Sequence, residues 1–218
     1  GSILTTGAVG AFSGLLIAGH IVHKIGVRNV LLASTALLYL SFLIIVQVHT
    51  PAIFIVFNIL IAFGITSTHV AINAQGFDIQ SRSQENILTS SAGYWSSGAL
   101  ATAILSGILV SHIGLALHIG VVAVIAATAS FIIIFRFGSA LVPANEHPET
   151  DYSIKDIFTT FHFDWRVSLG LACAVYLEFA IGDWAAIFVK EDMGIKGGIN
   201  TLPYILFTVA MIAGRLNL

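Results

Sequence analysis

Long apolar segments alternate with short polar breaks along the whole chain. A helix that crosses a bilayer needs roughly 20 mainly apolar residues, and seven segments approach or reach that length. We therefore predict spans at Ile3–Ala18, Val30–Val48, Pro51–Ala71, Ile87–Ser111, Leu117–Phe135, Val167–Val189 and Ile199–Ala213. Glycines inside these spans let neighbouring helices approach closely, which is how helices pack in lipid. The pattern predicts an all-α membrane protein built of helical bundles.

The longest polar stretch, 139–164, separates the fifth span from the sixth. It contains the prolines Pro143 and Pro148 and a group of acidic residues. A solvated linker between two bundles has this composition; a docking site for a partner is the alternative. The sequence thus divides into an N-terminal bundle at 1–138, a linker at 139–164 and the start of a C-terminal bundle at 165–218.

Composition supports a lipid environment for these helices. Of the 218 residues, 57% are hydrophobic and 9% are charged, and the mean hydropathy is +0.95. A soluble domain needs more polar surface than that. The formal net charge of −2 gives no basic field for nucleic acid. Cys173 is the only cysteine, and no His-x-x-x-His pair lies in a span, so we expect neither a metal site nor a cofactor.

Basic residues indicate which side of the membrane each break faces. The breaks after the odd-numbered spans and the flanks of the linker carry Lys24, Arg28, Arg82, Arg136, Lys155, Arg166 and Arg215. The opposite breaks carry Lys190 and Lys196. Cytoplasmic loops are enriched in Lys and Arg, so we expect the first set and the linker to be cytoplasmic. The protein would then be a multi-pass protein of the plasma membrane, the bacterial inner membrane.

Two matching stretches suggest an internal repeat. The sequence IAGHI (17–21) ends the first span, and IAGRL (212–216) ends the seventh. Both are predicted to reach the cytoplasmic face, and about six spans and the linker separate them. Many secondary transporters are built from such repeats. We predict that the intact protein has one further helix before Gly1 and four after Leu218, which makes twelve.

The stretch GHIVHKIGVR (19–28) resembles the signature loop of the major facilitator superfamily. In that loop a glycine is followed by an aspartate, a basic residue, a second glycine and further basic residues. The matching positions here are Gly19, Lys24, Gly26 and Arg28. His23 stands at the aspartate position, and a neutral histidine supplies no fixed negative charge for the loop's usual charge pairing. Gly214 and Arg215 look like the start of the same loop in the second half.

Three further stretches resemble sugar-permease-like members, including the fucose-permease branch: AINAQG (71–76), SSAGYWSSGALATA (90–103) and EFAIGDWAA (178–186). The resemblance implies that the chain supplies helices 2 to 8 of 12 in a major-facilitator-type fold. It also implies alternating access, in which two bundles rock around a central site. A conformational gating role then follows for Gly19, His23, Lys24, Gly26, Arg28, Gly214 and Arg215. The resemblance names no solute.

Ionisable residues inside a span cost roughly 2.5–3.5 kcal/mol on insertion scales and usually face a cavity or a partner. Glu178, near the middle of the sixth span, is either a proton-carrying or solute-binding carboxylate, or a structural acid bonded to a neighbouring helix. Asp183 is either an outer-gate contact or an interfacial residue. Trp184 is able to stack on a sugar ring, and it equally fits the aromatic belt of the membrane interface.

A polar stripe on the third span is the other candidate. Thr66, His69 and Asn73 recur at helical spacing and share one face. Such a stripe could bind solute hydroxyls or pass a proton. Polar packing between helices is the alternative.

Together these features predict a secondary active transporter of a small, polar, sugar-like organic solute. It would be coupled to protons and work by rocker-switch alternating access, as a monomer whose partners are the bilayer and the solute. An efflux transporter of drug-like or amphipathic compounds and a transport-inactive sensor are the alternatives. An enzyme is not expected because HExxH and GxSxG are absent. A retinal pump would need a mid-span lysine, and no lysine lies in a predicted span. A channel would need a repeated filter, and the sequence contains none, so neither class is expected.

Overall fold

The computed structural model describes residues 5–83, 85–109, 112–144, 164–195 and 202–217, and every regular element in these ranges is a helix. The elements are α1 (Gly7–Ile45), α2 (Pro51–Ser83), α3 (Ile87–Leu109), α4 (Leu115–Phe137), a 3₁₀ turn (Gly138–Ala140), α5 (Trp165–Glu191) and α6 (Leu202–Leu216). Among the described helices, α1, α2, α4 and α5 contain stretches long and apolar enough to cross a membrane, and α6 is apolar but shorter. The prediction of an all-α membrane protein is confirmed.

The helices form two compact units. The first comprises Gly1–Glu85 and Val110–Thr159 and contains α1, α2 and α4; the second comprises Asn86–Leu109 and Thr160–Leu218 and contains α3, α5 and α6. The sequence pattern groups the fourth span, which is α3, with the N-terminal helices. In the structure α3 packs against α6. The division at 138 and 165 stays a prediction for the intact protein.

Gly26 divides α1 into two helical arms. Its backbone has φ 80° and ψ 159°, a conformation that glycine adopts without the steric cost other residues incur. The helix is therefore interrupted between arm 7–25 and arm 27–45, which correspond to the first and second predicted spans. The helical conformation continues from the first span up to Gly26 itself, so the break is a single residue.

Close approaches of glycines show how the first arm packs against α2. A Cβ on Gly10 would fall on the backbone carbonyl of Ile59, and one on Gly14 would lie 3.1 Å from the carbonyl oxygen of Phe63. From Gly10 to Gly14 the contact on α2 moves forward from Ile59 to Phe63. This arm and α2 therefore run in the same direction. The absence of side chains at Gly10 and Gly14 is what allows the two backbones to come this close.

The second arm of α1 runs in the opposite direction along α2. The Thr68 hydroxyl donates a hydrogen bond to the Ser34 hydroxyl at 2.8 Å. A Cβ on Gly64 would lie 3.2 Å from the Cβ of Leu38. The two arms are therefore antiparallel, and the chain crosses this unit once with each arm and once with α2.

Helix α4 completes the first unit by packing on the second arm of α1. Leu43 lies beside Gly120 near one end of the contact, and Arg28 lies against Gly138 at the other. The Arg28 guanidinium is also 5.8 Å from the centre of the Phe135 ring, a distance at which a cation is attracted to an aromatic face. Arg28 therefore holds the end of α4 and the turn that follows it.

Residues 141–144, which we call the strap, follow the 3₁₀ turn and close the Gly26 end of the unit. The Val27 amide donates to the Val142 carbonyl oxygen at 3.1 Å, and the Val142 amide donates to Gln75 Oε1 at 2.8 Å. Around them lies an apolar cluster of Val22, Val27, Val30, Leu31, Ala71 and Ile134. The strap thereby ties the kink of α1 to α2.

Gly26→Ala is expected to lower the free energy of unfolding by about 2 kcal/mol, within the range for strained backbone positions. Alanine resists the positive φ, and its Cβ would lie 2.9 Å from the Ala144 amide nitrogen. Gly194→Ala is the matched control, because Gly194 has φ 68° but open space around its Cβ position. Chemical unfolding of both variants in detergent measures the difference; equal losses would show that the strap does not press on Gly26.

Helix α2 is longer than the predicted third span, because it continues past Ala71 to Ser83. At about 1.5 Å per residue its length is close to 50 Å, whereas the hydrocarbon core is roughly 30 Å thick. Near its end, Arg82 and Asp78 form an i,i+4 ion pair at 2.7 Å, which stabilises an exposed helix terminus. Hydropathy ends the span at Ala71 because the residues after it are more polar. Hydropathy locates apolar segments, and it does not detect a helix that continues with a polar composition.

Candidate functional site

An arginine connects the three helices of the second unit. Glu178 lies at the midpoint of α5 (Trp165–Glu191), and its Oε2 accepts a hydrogen bond from Arg215 Nη2 at 3.0 Å. Arg215 Nη1 donates to the Ser96 hydroxyl oxygen of α3 at 2.6 Å. A single guanidinium from α6 thus joins an acidic side chain of α5 to a hydroxyl of α3.

Small residues on α3 make this contact possible. A Cβ on Gly93 would lie 2.7 Å from Leu216 Cδ2 and 3.3 Å from Arg215 Cβ, so α6 passes directly over this glycine. Ser96, one turn further, is 1% exposed, and its hydroxyl donates to the Ala92 carbonyl oxygen at 2.9 Å. With its proton committed to that carbonyl, the Ser96 oxygen presents lone pairs to Arg215.

The start of α5 is set by a side-chain cap. Asp164 Oδ1 accepts hydrogen bonds from the amides of Arg166 at 2.9 Å and Val167 at 3.2 Å. Aspartate is one of the preferred residues at this position because it satisfies amides that have no partner inside the helix. The cap fixes the residue at which α5 begins. It therefore also fixes how far Glu178 lies from the start of the helix.

A cavity of about 340 Å³ lies beside the ion pair, within the second unit. Its wall is mainly apolar, and four of its ten lining residues are aromatic: Trp95, Phe179, Tyr204 and Phe207. Glu178 and Ser96 also line it, and both are bonded to Arg215. An apolar wall with a few convergent polar groups is the usual composition of a small-molecule site.

Both members of the ion pair are partly buried. The Glu178 side chain is 31% exposed and that of Arg215 is 26% exposed. At this burial the two charges are screened less than on an open surface, so removal of either partner changes the field in the cavity.

The sequence analysis identified Glu178 and Arg215 separately, for different roles. It placed Arg215 in a loop at the cytoplasmic end of the seventh span. In the structure Gly214 and Arg215 are helical residues of α6, and Arg215 lies level with the midpoint of α5. An acidic residue inside the sixth span and a basic residue just after the seventh were the signal that could have suggested the pair. Ser96 had no such signal, because α3 is rich in serine.

Asp183 and Trp184 lie on α5, beyond Glu178. Trp184 is 65% exposed and is absent from the residues that line the cavity. The side chain of Asp183 lies outside the described part of the chain. Their proposed contacts with solute stay predictions.

The polar stripe lies on α2 in the first unit. Thr66 packs against the first arm of α1, because a Cβ on Gly14 would lie 3.0 Å from Thr66 Cβ. His69 and Asn73 are exposed. The stripe therefore combines one helix-packing residue with two residues on the surface of the unit, and its role in binding stays a prediction.

The loop that resembles the family signature is mostly helical. Gly19, His23 and Lys24 belong to the first arm of α1, and only Gly26 leaves the helical conformation. Lys24 is exposed, and His23 is half-buried. Gly26 and Arg28 instead contact the strap and the end of α4. The structure thus shows a packing role for these two residues, and the gating role of the group stays a prediction.

Comparison with known proteins is consistent with this architecture. The family profile of the Major Facilitator Superfamily matches residues 1–218. An uncharacterized MFS-type transporter of Yersinia pestis is 24% identical over 221 residues, which cover 100% of this chain and 55% of that protein. The chain therefore spans about half the length of this relative. No solved structure matches the chain.

Proposed function

The chain belongs to the major facilitator superfamily, and we propose that its full-length protein is a secondary transporter of a small, polar, sugar-like solute. The observation that carries the proposal is the Glu178–Arg215–Ser96 cluster beside an aromatic cavity. Transport would proceed by alternating access, with protons as the coupling ion. The family match and the apolar helices support a multi-pass membrane protein. The distribution of Lys and Arg along the sequence is the basis for proposing the bacterial inner membrane, with the linker 139–164 in the cytoplasm.

The size of the cavity favours a small solute. Its volume of about 340 Å³ is near the lower limit of roughly 300–1,000 Å³ for small-molecule pockets. A monosaccharide-sized molecule fits that space, and its CH-rich faces suit aromatic walls such as Trp95 and Tyr204.

The ion pair supplies a mechanism for coupling. Ionised Glu178 is bonded to Arg215, whereas a protonated Glu178 carries no charge to hold the guanidinium. Gain or loss of one proton therefore switches the contact between α5 and α6. A solute that hydrogen-bonds either group competes with the ion pair, so solute binding and proton binding are linked.

Glu178→Gln is expected to abolish proton-driven accumulation, because glutamine cannot ionise. The measurement is uptake of radiolabelled sugars into vesicles that contain the full-length protein, with and without an imposed pH gradient. Glu191→Gln is the control, since it removes an exposed carboxylate from the same helix. Uptake by Glu178→Gln that still depends fully on the pH gradient would contradict the proton role.

The same vesicles separate the alternatives. Accumulation of a sugar supports the proposal, and extrusion of amphipathic dyes without sugar uptake would support efflux. Specific solute binding with no flux in either direction would indicate a transport-inactive sensor.

A further inference from the structure

We infer that the cavity of the second unit selects solutes without net charge, because Arg215 neutralises the charge of Glu178, the charged residue at its wall. This inference rests on the proposed transport function and specifies the substrate class of that site. It concerns the solute's charge, which neither the family nor the relative defines.

The charge balance of the wall follows from a few contacts. Among the described residues that line the cavity, Glu178 is the only one with a charged side chain. Arg215 lies 3.0 Å from it and is bonded as well to Ser96, another lining residue. The paired charges therefore act on the cavity as a dipole whose net charge is zero.

A charged solute in this cavity would lose its hydration without gaining an opposite charge. Burial of an unpaired ion is strongly unfavourable, and the wall is mainly apolar. A neutral solute with hydroxyl or amide groups avoids that loss. The cavity therefore favours solutes that are polar but carry no net charge.

Glu178, which lines the cavity, retains capacity to accept a hydrogen bond from such a solute, because a carboxylate has two acceptor oxygens. The Glu178 bond is made by Oε2, and no described residue bonds to Oε1. Oε1 is therefore available to accept a hydrogen bond from a hydroxyl or an amide N–H of a neutral solute.

Substitution of one member of the Glu178–Arg215 ion pair should change which solute charge the cavity prefers. Glu178→Gln leaves the positive charge of Arg215 uncompensated, so the cavity should prefer anions. Arg215→Gln leaves Glu178 uncompensated, so the cavity should prefer cations. The double substitution Glu178→Gln/Arg215→Gln restores neutrality and should restore preference for neutral solutes.

The test uses three probes of one ring size: glucose, glucuronate and glucosamine, which are neutral, anionic and cationic. Their binding to the full-length protein in detergent is measured by calorimetry for the parent protein and the three variants. We expect each single variant to change the ratio of charged to neutral affinity by at least about tenfold, since unlike and like charges are strongly discriminated in desolvated sites. Arg215→Lys keeps the charge and should keep the neutral preference, which controls for folding.

Glu191→Gln provides a second control, because it alters charge on α5 in the exposed Lys190–Glu191 pair and should leave the preference unchanged. The same charge preference in the parent and both single variants would overturn the inference, as would absence of binding of all three probes. Uptake in vesicles decides the proposed function separately. Uptake without a change of charge preference would leave the transporter assignment intact and place the solute elsewhere.

Discussion

Gly10→Ala is expected to lower the free energy of unfolding by about 3 kcal/mol, near the upper end for overpacked sites. Its Cβ would fall on the Ile59 carbonyl oxygen and lie 2.9 Å from the carbonyl carbon. Both atoms belong to the backbone of α2, so no side-chain rotation relieves the clash. The first arm of α1 must therefore move away from α2, with loss of packing along the arm. Unfolding in detergent followed by circular dichroism measures the change.

Gly19→Ala is the matched control for that experiment. Gly19 lies on the same helical arm, and nothing is within 4 Å of its Cβ position. Alanine is favoured over glycine in a helix by about 1 kcal/mol, so this variant should be as stable as the parent or more stable. If Gly10→Ala behaves like Gly19→Ala, the arm does not pack on α2 as described.

Arg215→Met is expected to abolish solute accumulation and to lower the free energy of unfolding by about 2 kcal/mol. Methionine keeps much of the length of the side chain but cannot bond Glu178 or Ser96. The carboxylate is left without its charged partner beside an apolar cavity. Loss of a fully buried partner costs about 3–5 kcal/mol, and the partial exposure of this pair reduces that figure. Vesicle uptake and unfolding in detergent provide the two measurements.

The controls for Arg215→Met form a graded series. Lys190→Met breaks an exposed ion pair of the same length on α5 and should cost less than about 1 kcal/mol. Ser96→Ala removes the hydrogen bond from Arg215 together with the local one to the Ala92 carbonyl oxygen, and should cost about 1 kcal/mol. The double variant Glu178→Gln/Arg215→Met should be more stable than Arg215→Met, because no unpaired charge remains. Equal losses for Arg215→Met and Lys190→Met would refute a stabilising role for the pair.

Hydropathy predicts most of this fold because lipid imposes a simple rule on composition. A spanning segment must be apolar and must satisfy its backbone internally, so helices can be located from the sequence alone. The rule does not describe what happens where a helix leaves lipid. It therefore missed the extension of α2 to Ser83 and treated residues 19–28 as a loop, although only Gly26 leaves the helix.

The candidate site was predicted only in part, for a related reason. Glu178 is recognisable because a carboxylate in an apolar segment needs a partner. The identity of that partner depends on which helices touch and at what level. Arg215 is separated from Glu178 by 37 positions and from Ser96 by 119, and no local periodicity connects them. The close packing at Gly93 decides the register.

The length of α2 has a mechanical consequence for any movement of the first unit. The part beyond Ala71 is a continuous rod of about 18 Å. Contacts with both arms of α1 anchor it at its base, and the strap binds it at Gln75. A change in tilt of about 10° would displace its tip by roughly 3 Å. The rod thus works as a lever that enlarges small rotations at its base. A spin label at Ser83 would detect motions that a label beside Gly64 could not resolve.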